Sequence, residues 1–432
     1  NFFMNALYYY AIGFIIVYII AFALRKKPYI SFEGIVIMLK TDKLRGVIDR
    51  IAGIPHGFWK KFTNILMPIG VFFIIVMVIS VIYSLQLMYT QPTVSLILPG
   101  VDIPGSPLYI PFGTGLIALA TVMIIHEGGH GVLARAENIS IDSVGLLLLA
   151  VIPGAFVEPN QQEVEKANGI SKLRVYFAGP MANIVLCVIA FVIMSGISGF
   201  MASENLYTSD GMEISSVVPS SPAEGVLKDG MIITSINNQT TNNYSSYIKA
   251  LNNTHIGDRI NITTNTGHYN LTLAESPSNS TKSYMGVRSG EHKIITPEAQ
   301  KKYGTWLPSI LPTLEELFSL IFLLNFAVGT FNLLPMKPLD GGLILEEILK
   351  TRIRDDRRKE FNDTLNHYTR HLPMSIRCFI SRRFNSLLNF IANHPISDEK
   401  VAIIMRAIST FFIVILLMLI IYGTVPGILQ ML

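Results

Sequence analysis

Thr121-Val122-Met123-Ile124-Ile125-His126-Glu127-Gly128-Gly129-His130 sets three ionisable side chains inside an apolar run that extends from Gly113 to Leu133. A helix that crosses a bilayer needs about 20 mostly apolar residues, and this run is long enough. At the centre of such a helix an ionisable side chain costs about 2.5 to 3.5 kcal/mol, so it is functional by default. Histidines at i and i+4 stand one above the other on one helix face, where both imidazoles reach a single ion. Glu127 points beside that ion and is placed to take a proton from a water there. Gly128 and Gly129 each cost about 1 kcal/mol against alanine in a helix, which predicts close approach by another backbone.

Outward from this stretch the chain is apolar in blocks. Of its 432 residues 50% are hydrophobic and only 15% charged, against roughly 25% charged in soluble domains. Further spans are expected over Met4 to Leu24, Ile65 to Met88, Val175 to Met194, Leu307 to Leu334 and Ala402 to Tyr422. The first has no basic start and no small-residue cleavage site, and reads as a span and not a signal peptide. Basic residues gather between Arg25 and Lys61, recur at Arg135, Lys166, Lys172 and Arg174, and are dense from Lys337 to Lys400, whereas Thr90 to Phe112 holds none. Lys and Arg favour cytoplasmic loops. Six spans with both termini outside follow, and Ser203 to about Tyr303 becomes extracytoplasmic. Six Asn-X-Ser/Thr triplets begin there, at Asn238, Asn243, Asn252, Asn261, Asn270 and Asn279, either as acceptors of an exported surface or as chance products of a polar stretch. A net charge of +4 is too small to argue for nucleic acid, and Cys187 and Cys378 are too few for a Cys-based metal site.

A catalytic zinc takes three protein ligands and leaves a fourth position open. The candidate third ligand is Asp340, in Phe331-Asn332-Leu333-Leu334-Pro335-Met336-Lys337-Pro338-Leu339-Asp340-Gly341-Gly342, where two prolines end a span and let the chain turn back. Taken alone, that stretch is equally a helix exit with a solvated Asp. Taken with the His-Glu motif, the pair resembles the signature of the site-2 protease family. The resemblance implies one zinc bound by His126, His130 and Asp340, with Glu127 as general base. It also implies that Asn332 helps hold the scissile carbonyl or its oxyanion; a buried, helix-capping Asn is the alternative. Gly179-Pro180-Met181-Ala182-Asn183 is similar to the family's GPxxN, and Gly145 to Pro159 to its re-entrant element. Lys337 and Leu343 depart from the family pattern at positions that hold no ligand.

Between the spans, Ile214 to Asn237 resembles a PDZ domain: a strand, a small-residue turn, a short helix near Pro222, the Asp229-Gly230 turn and a second strand. A second helix is expected over Tyr244 to Asn252, with strands over Asp258 to Thr264 and His268 to Leu273. PDZ domains take a chain end as an added strand, so this one would bind substrate or a regulatory chain end, with a non-binding spacer as the alternative. His255, His268 and His292 are scattered there as surface histidines. His367 and His371 form a rival i, i+4 pair without an intervening Glu or an apolar setting. The basic segment from Glu346 to Lys400, and that from Lys27 to Lys61, are expected to lie on anionic headgroups.

The fold class is therefore mainly α, a polytopic membrane protein of about six transmembrane helices with an inserted extracytoplasmic PDZ-like α+β domain. Residues 1–112 form an N-terminal pair of spans with a basic interfacial segment, 113–200 and 306–350 the two parts of the core, 201–305 the insertion, and 351–432 a basic segment with the last span. The resemblance implies a zinc-dependent endopeptidase that cuts within transmembrane segments of single-span membrane proteins; the basic segments place its active site toward the cytoplasm, and the plasma membrane of an archaeon or bacterium is the expected location. A metal transporter would show polar residues along several spans and internal repeats, and neither is evident. A proteolytically silent zinc-holding receptor or scaffold is the other alternative, and it has no support because every catalytic position is filled.

Overall fold

A computed structural model describes the chain except residues 1, 34–35, 56, 88–98, 101–109, 150–151, 219, 277–278, 351–364, 366–368, 371–372, 379–380, 383–396 and 430–432. Apolar runs become helices: α1 (Phe2–Ala23), α3 (Phe58–Leu87), α4 (Phe112–Ala136), α6 (Gly169–Ser203), α9 (Trp306–Phe331) and α11 (Asp398–Leu429). Among the described residues five of these, all but α1, are long and apolar enough to cross a membrane; the described apolar part of α1 is the shorter Tyr10–Ala23. Their outward faces stay apolar, with Ile65 69%, Ile79 60% and Val192 63% exposed. Water would penalise such surface by about 25 cal/mol per Å², so lipid is the solvent that suits it.

The chain divides into two compact units, residues 1–193 with 316–432, and residues 194–315. In the first, a four-stranded antiparallel sheet joins segments far apart in sequence: β1 (Ile30–Glu33), β2 (Val36–Lys40), β3 (Ile141–Leu149) and β4 (Ile152–Pro159), in that order. The stretch resembling a re-entrant element is thus the β3–β4 hairpin, and part of the segment expected at the interface is the β1–β2 hairpin beside it. Gly145 is needed where the hairpins meet, because a Cβ there would lie 2.0 Å from the Leu39 carbonyl oxygen of β2. The amphipathic α2 (Asp42–Ala52) packs Ile48 against Val132 and Leu133 of α4 and Val144 of β3. The turn after α9 is buried through Leu334 and Met336 against Val81 of α3 and Phe412 of α11.

The second unit is built on a sheet of order β12-β5-β6-β8-β9, from β5 (Tyr207–Val217), β6 (Ile232–Ile236), β8 (Arg259–Thr264), β9 (Gly267–Thr272) and β12 (Val287–Ile295); β7 (Gln239–Thr240) pairs with β6. Its core holds Met212, Ile214, Ile233, Ile260 and Ile262, all fully buried. Tyr244–Asn252 is helix α7, capped by the Asn243 side chain, which accepts from Ser246 N; that Asn has a structural use whatever its triplet does. The short helix expected near Pro222 is a run of turns instead. Gly225, at φ +75°, interrupts it, a conformation that no right-handed helix accepts.

At the end of α4 the Glu137 carboxylate, 4% exposed, pairs with Arg174 at 2.9 Å and Lys60 at 3.3 Å and accepts from Ser171 Oγ. Burial pushes its pKa up, but the Ser171 and Arg174 hydrogen bonds and the two cations outweigh burial and hold it below the usual carboxylate range. Stability from this group is present above the unfolded value of about 4.3 and is lost as pH falls through the lowered folded value. Arg174→Met leaves the buried carboxylate with only Lys60 and Ser171, and should destabilise by about 1 to 3 kcal/mol at neutral pH and flatten the acid side of the stability profile. Unfolding midpoints in detergent across pH check both.

Candidate metal centre

The site begins with contact between two helices. A Cβ on Gly129 would lie 2.7 Å from the Ala178 carbonyl oxygen of α6 and 2.9 Å from the Ala182 Cβ, so small residues let the α4 and α6 backbones meet. Gly128 does not share this role, because nothing lies within 4 Å of a Cβ placed there. It faces open space beside Glu127, which corrects the expectation of close packing at both glycines. On the far side a Cβ on Gly179 would fall 2.2 Å from His130 Nε2, so the imidazole lies directly over the α6 backbone.

Asp340 arrives from the turn after α9 and is the first residue of α10 (Asp340–Lys350). Gly341 N donates to the Asn332 carbonyl at 2.7 Å, and Lys337 N to Ser409 Oγ of α11 at 2.9 Å. A Cβ on Gly341 would lie 2.2 Å from the Leu333 carbonyl oxygen, and one on Gly342 2.5 Å from the Met336 carbonyl carbon. The double glycine therefore lets α10 start hard against the turn that aims Asp340 at α4. The departure at Lys337 is accommodated outside this contact, where its ammonium pairs with Glu346 at 2.5 Å.

Three ligand atoms converge. His126 Nε2 is 3.1 Å from Asp340 Oδ2, His130 Nε2 is 3.4 Å from the same oxygen, and the two Nε2 atoms are 3.3 Å apart. A tetrahedron with zinc–ligand arms of about 2.0 to 2.1 Å has edges of roughly 3.3 to 3.4 Å, so the triangle matches one face of it. The donor chemistry agrees. His130 Nδ1 donates to the Val175 carbonyl at 2.7 Å, so in the neutral ring Nε2 is a bare lone pair. A bare nitrogen facing a carboxylate oxygen is repulsive unless a proton or a metal ion lies between them. Among the described residues no other group of three His, Cys, Asp or Glu side chains gathers in this way, and neither cysteine is part of it.

Glu127 stands apart from the triangle. Its Oε2 accepts from Val157 N of β4 at 3.2 Å, and it is half-buried on the wall of a cavity of about 570 Å³. Apolar groups from several elements close this cavity, among them Val47, Trp59, Phe62, Phe156 and Met181. The Glu127 carboxylate is thus a polar group on a mainly apolar wall.

Asn332 Nδ2 donates to the Val328 carbonyl one turn back at 3.0 Å, so in this structure its side chain follows the helix-capping alternative, while its carbonyl anchors Gly341. His367 and His371 lie outside the described residues. His255 and His292 sit near Asp258 and Asp210 as two-residue pairs, and His268 meets Thr263. The Val175 carbonyl and the space at Gly179 were missed in the sequence, although Gly179 stands in the quoted GPxxN stretch.

If the triangle holds a metal, His126→Ala and His130→Ala should each lose most of it, whereas Glu127→Gln, outside the triangle, should keep about one ion per chain. Metal analysis of the purified variants reads both; full metal in both His variants would refute the ligand set.

Residues 114–375 match the description Peptidase family M50. A Methanocaldococcus jannaschii protein described as uncharacterized is 28% identical over 345 residues, 78% of this chain and 85% of its own length. An Arabidopsis thaliana membrane-bound transcription factor site-2 protease homolog is 27% identical over 124 residues, 28% of this chain and 23% of its own. A Clostridium perfringens protein provisionally named a zinc metalloprotease is 22% identical over 322 residues, 60% of this chain and 93% of its own. Among solved structures, the PDZ domain of an SdrC-like protein from Listeria monocytogenes aligns at 23% identity over 19% of this chain and 90% of its own, with a TM-score of 0.18. With the family match spanning well over half of its length, and with the metal-fitted cluster set in apolar helices, the chain belongs to peptidase family M50, the site-2 protease family.

Proposed function

We propose that this chain is an intramembrane zinc-dependent endopeptidase that hydrolyses peptide bonds within transmembrane segments of single-span membrane proteins. One observation carries the reading: the three convergent ligand atoms lie next to a carboxylate that belongs to no ligand and opens on an apolar cavity walled by an edge strand. His126, His130 and Asp340 would hold the zinc. A zinc ion there supplies Lewis acidity, acidifying a water and polarising a carbonyl.

The protein's own groups do the rest. Glu127 takes the proton of the attacking water and passes it to the leaving amine, so the carboxylate is regenerated. β4 is at the edge of its sheet, and Val157 N points away from β3 toward Glu127. Alternation along a strand then turns the Ala155 N–H and C=O outward as well. An unwound substrate segment would pair with this edge as a fifth strand, which exposes carbonyls that a helix keeps in hydrogen bonds. Asn332 is proposed to assist at the scissile carbonyl after its amide leaves Val328.

His126 is thirteen residues along α4 from Gly113, about 20 Å at 1.5 Å per residue. A hydrocarbon core of about 30 Å then puts the site inside the bilayer, and the basic residues after Asp340 favour the cytoplasmic side. Water would reach it from that side and substrate from the lipid. The second unit would lie outside the cell, PDZ-like in element order, and would select or restrain substrates. An archaeal or bacterial plasma membrane is the proposed location.

Ala155→Pro removes an outward N–H that only a docked strand would use. It should retain zinc and lose 10-fold or more in cleavage of a model single-span substrate; full cleavage would exclude pairing at this edge. For topology, Cys378 is exposed and native, and Ser245 is exposed on α7. A membrane-impermeant thiol reagent should label Ser245→Cys in intact cells and reach Cys378 only after permeabilisation. The reverse pattern would invert the assignment.

A further inference from the structure

Asn183 is fully buried in α6, and its side-chain amide meets His126 Nδ1 at 3.2 Å. Its Oδ1 has no hydrogen-bond partner. An unpaired amide oxygen inside an apolar helix bundle keeps its full desolvation penalty, so a buried Asn here needs a reason. α9 presses on it from behind, since a Cβ on Gly329 would come within 3.0 Å of the Asn183 Cβ.

Two orientations of this amide give His126 two different chemistries. With NH2 toward the ring, Nδ1 must accept, so the only ring proton of a neutral imidazole is on Nε2. Nε2 then donates to Asp340 Oδ2 across the observed 3.1 Å, and no lone pair is left for a metal. A half-turn of the amide puts Oδ1 at the same place without moving another residue. Nδ1–H then donates to Oδ1, and Nε2 presents its lone pair at the centre of the ligand triangle. His130 already has its equivalent acceptor in the Val175 carbonyl. Val175 and Asn183 are both on α6, eight residues apart, so a single helix would fix both ligand tautomers, with Gly179 between them making room for the His130 ring.

We infer that Asn183 is a positioning residue for the metal: its amide oxygen accepts the His126 Nδ1 proton and holds the ring in the tautomer that binds zinc. The inference rests on the metal reading of the cluster and not on proteolysis, so its test reads metal affinity. Zinc affinity of the full-length protein in detergent is measured by competition with a chromogenic chelator, and the visible spectrum of the Co²⁺-substituted protein reports the ligand field.

Asn183→Leu keeps the volume and removes the acceptor; it should weaken zinc binding about 10- to 100-fold and change the Co²⁺ spectrum. Asn183→Asp can only accept, and should bind zinc at least as tightly as within threefold of the parent. A purely structural Asn would lower the unfolding midpoint of both variants and would not separate their zinc affinities. Zinc binding by Asn183→Leu within threefold of the parent overturns the inference, as does a loss in Asn183→Asp equal to that in Asn183→Leu. Should Asn183→Leu not fold, Asn183→Asp decides alone, retention supporting the inference and loss refuting it. If the parent itself binds no zinc, the metal reading fails first and the two failures are told apart.

Discussion

Three ionisable side chains in one apolar helix must find their partners within the protein, because lipid offers none. That constraint explains more of this structure than any other. His126 and His130 share a face of α4, and polar atoms from α6 and from the turn before α10 approach it. α6 offers the Val175 carbonyl and the bare backbone at Gly179; the turn before α10 offers the Asp340 carboxylate. The turn in turn depends on two glycines and on Ser409 of α11. A site made by one helix alone would leave a lone pair or a carboxylate unpaired, and burial makes such a group expensive.

The same helix separates the metal-fitted cluster from the proposed base by one residue. A step of about 100° along α4 carries the chain from His126, in the ligand triangle, to Glu127, on the cavity wall. Gly128 keeps the next position empty, so a polypeptide can come close to the carboxylate. Gly129 returns to the α6 contact. The motif is thus a helical alternation of proposed ligand, proposed base, open space and packing.

How far the sequence could be read follows from the range of each signal. Six apolar helices were legible because hydrophobic runs are local, and five of them, among the described residues, have the length that lipid demands. The His126–His130 pair was legible because helix geometry is local too. Asp340 lies 210 residues beyond His130, and its place beside the histidines came from resemblance and not from spacing. The four-stranded sheet was not legible: Leu146 to Leu149 is uniformly apolar, with no alternation to mark a strand, and its partner Val36–Lys40 lies more than a hundred residues earlier. The turns at Pro222 were read as helix because the sequence does not display that Gly225 takes a positive φ. Asn183 was quoted as part of a motif, but its contact with His126 exists only once α4 and α6 are packed.

The central claim is that two imidazoles and one carboxylate hold a single zinc within the helices. X-ray absorption at the zinc edge of the purified full-length protein tests it most directly. The account predicts one zinc per chain, nitrogen and oxygen ligands at about 2.0 to 2.1 Å, and more distant scattering from two imidazole rings. Sulfur at about 2.3 Å, or a shell without imidazole that persists in His126→Ala, would contradict it.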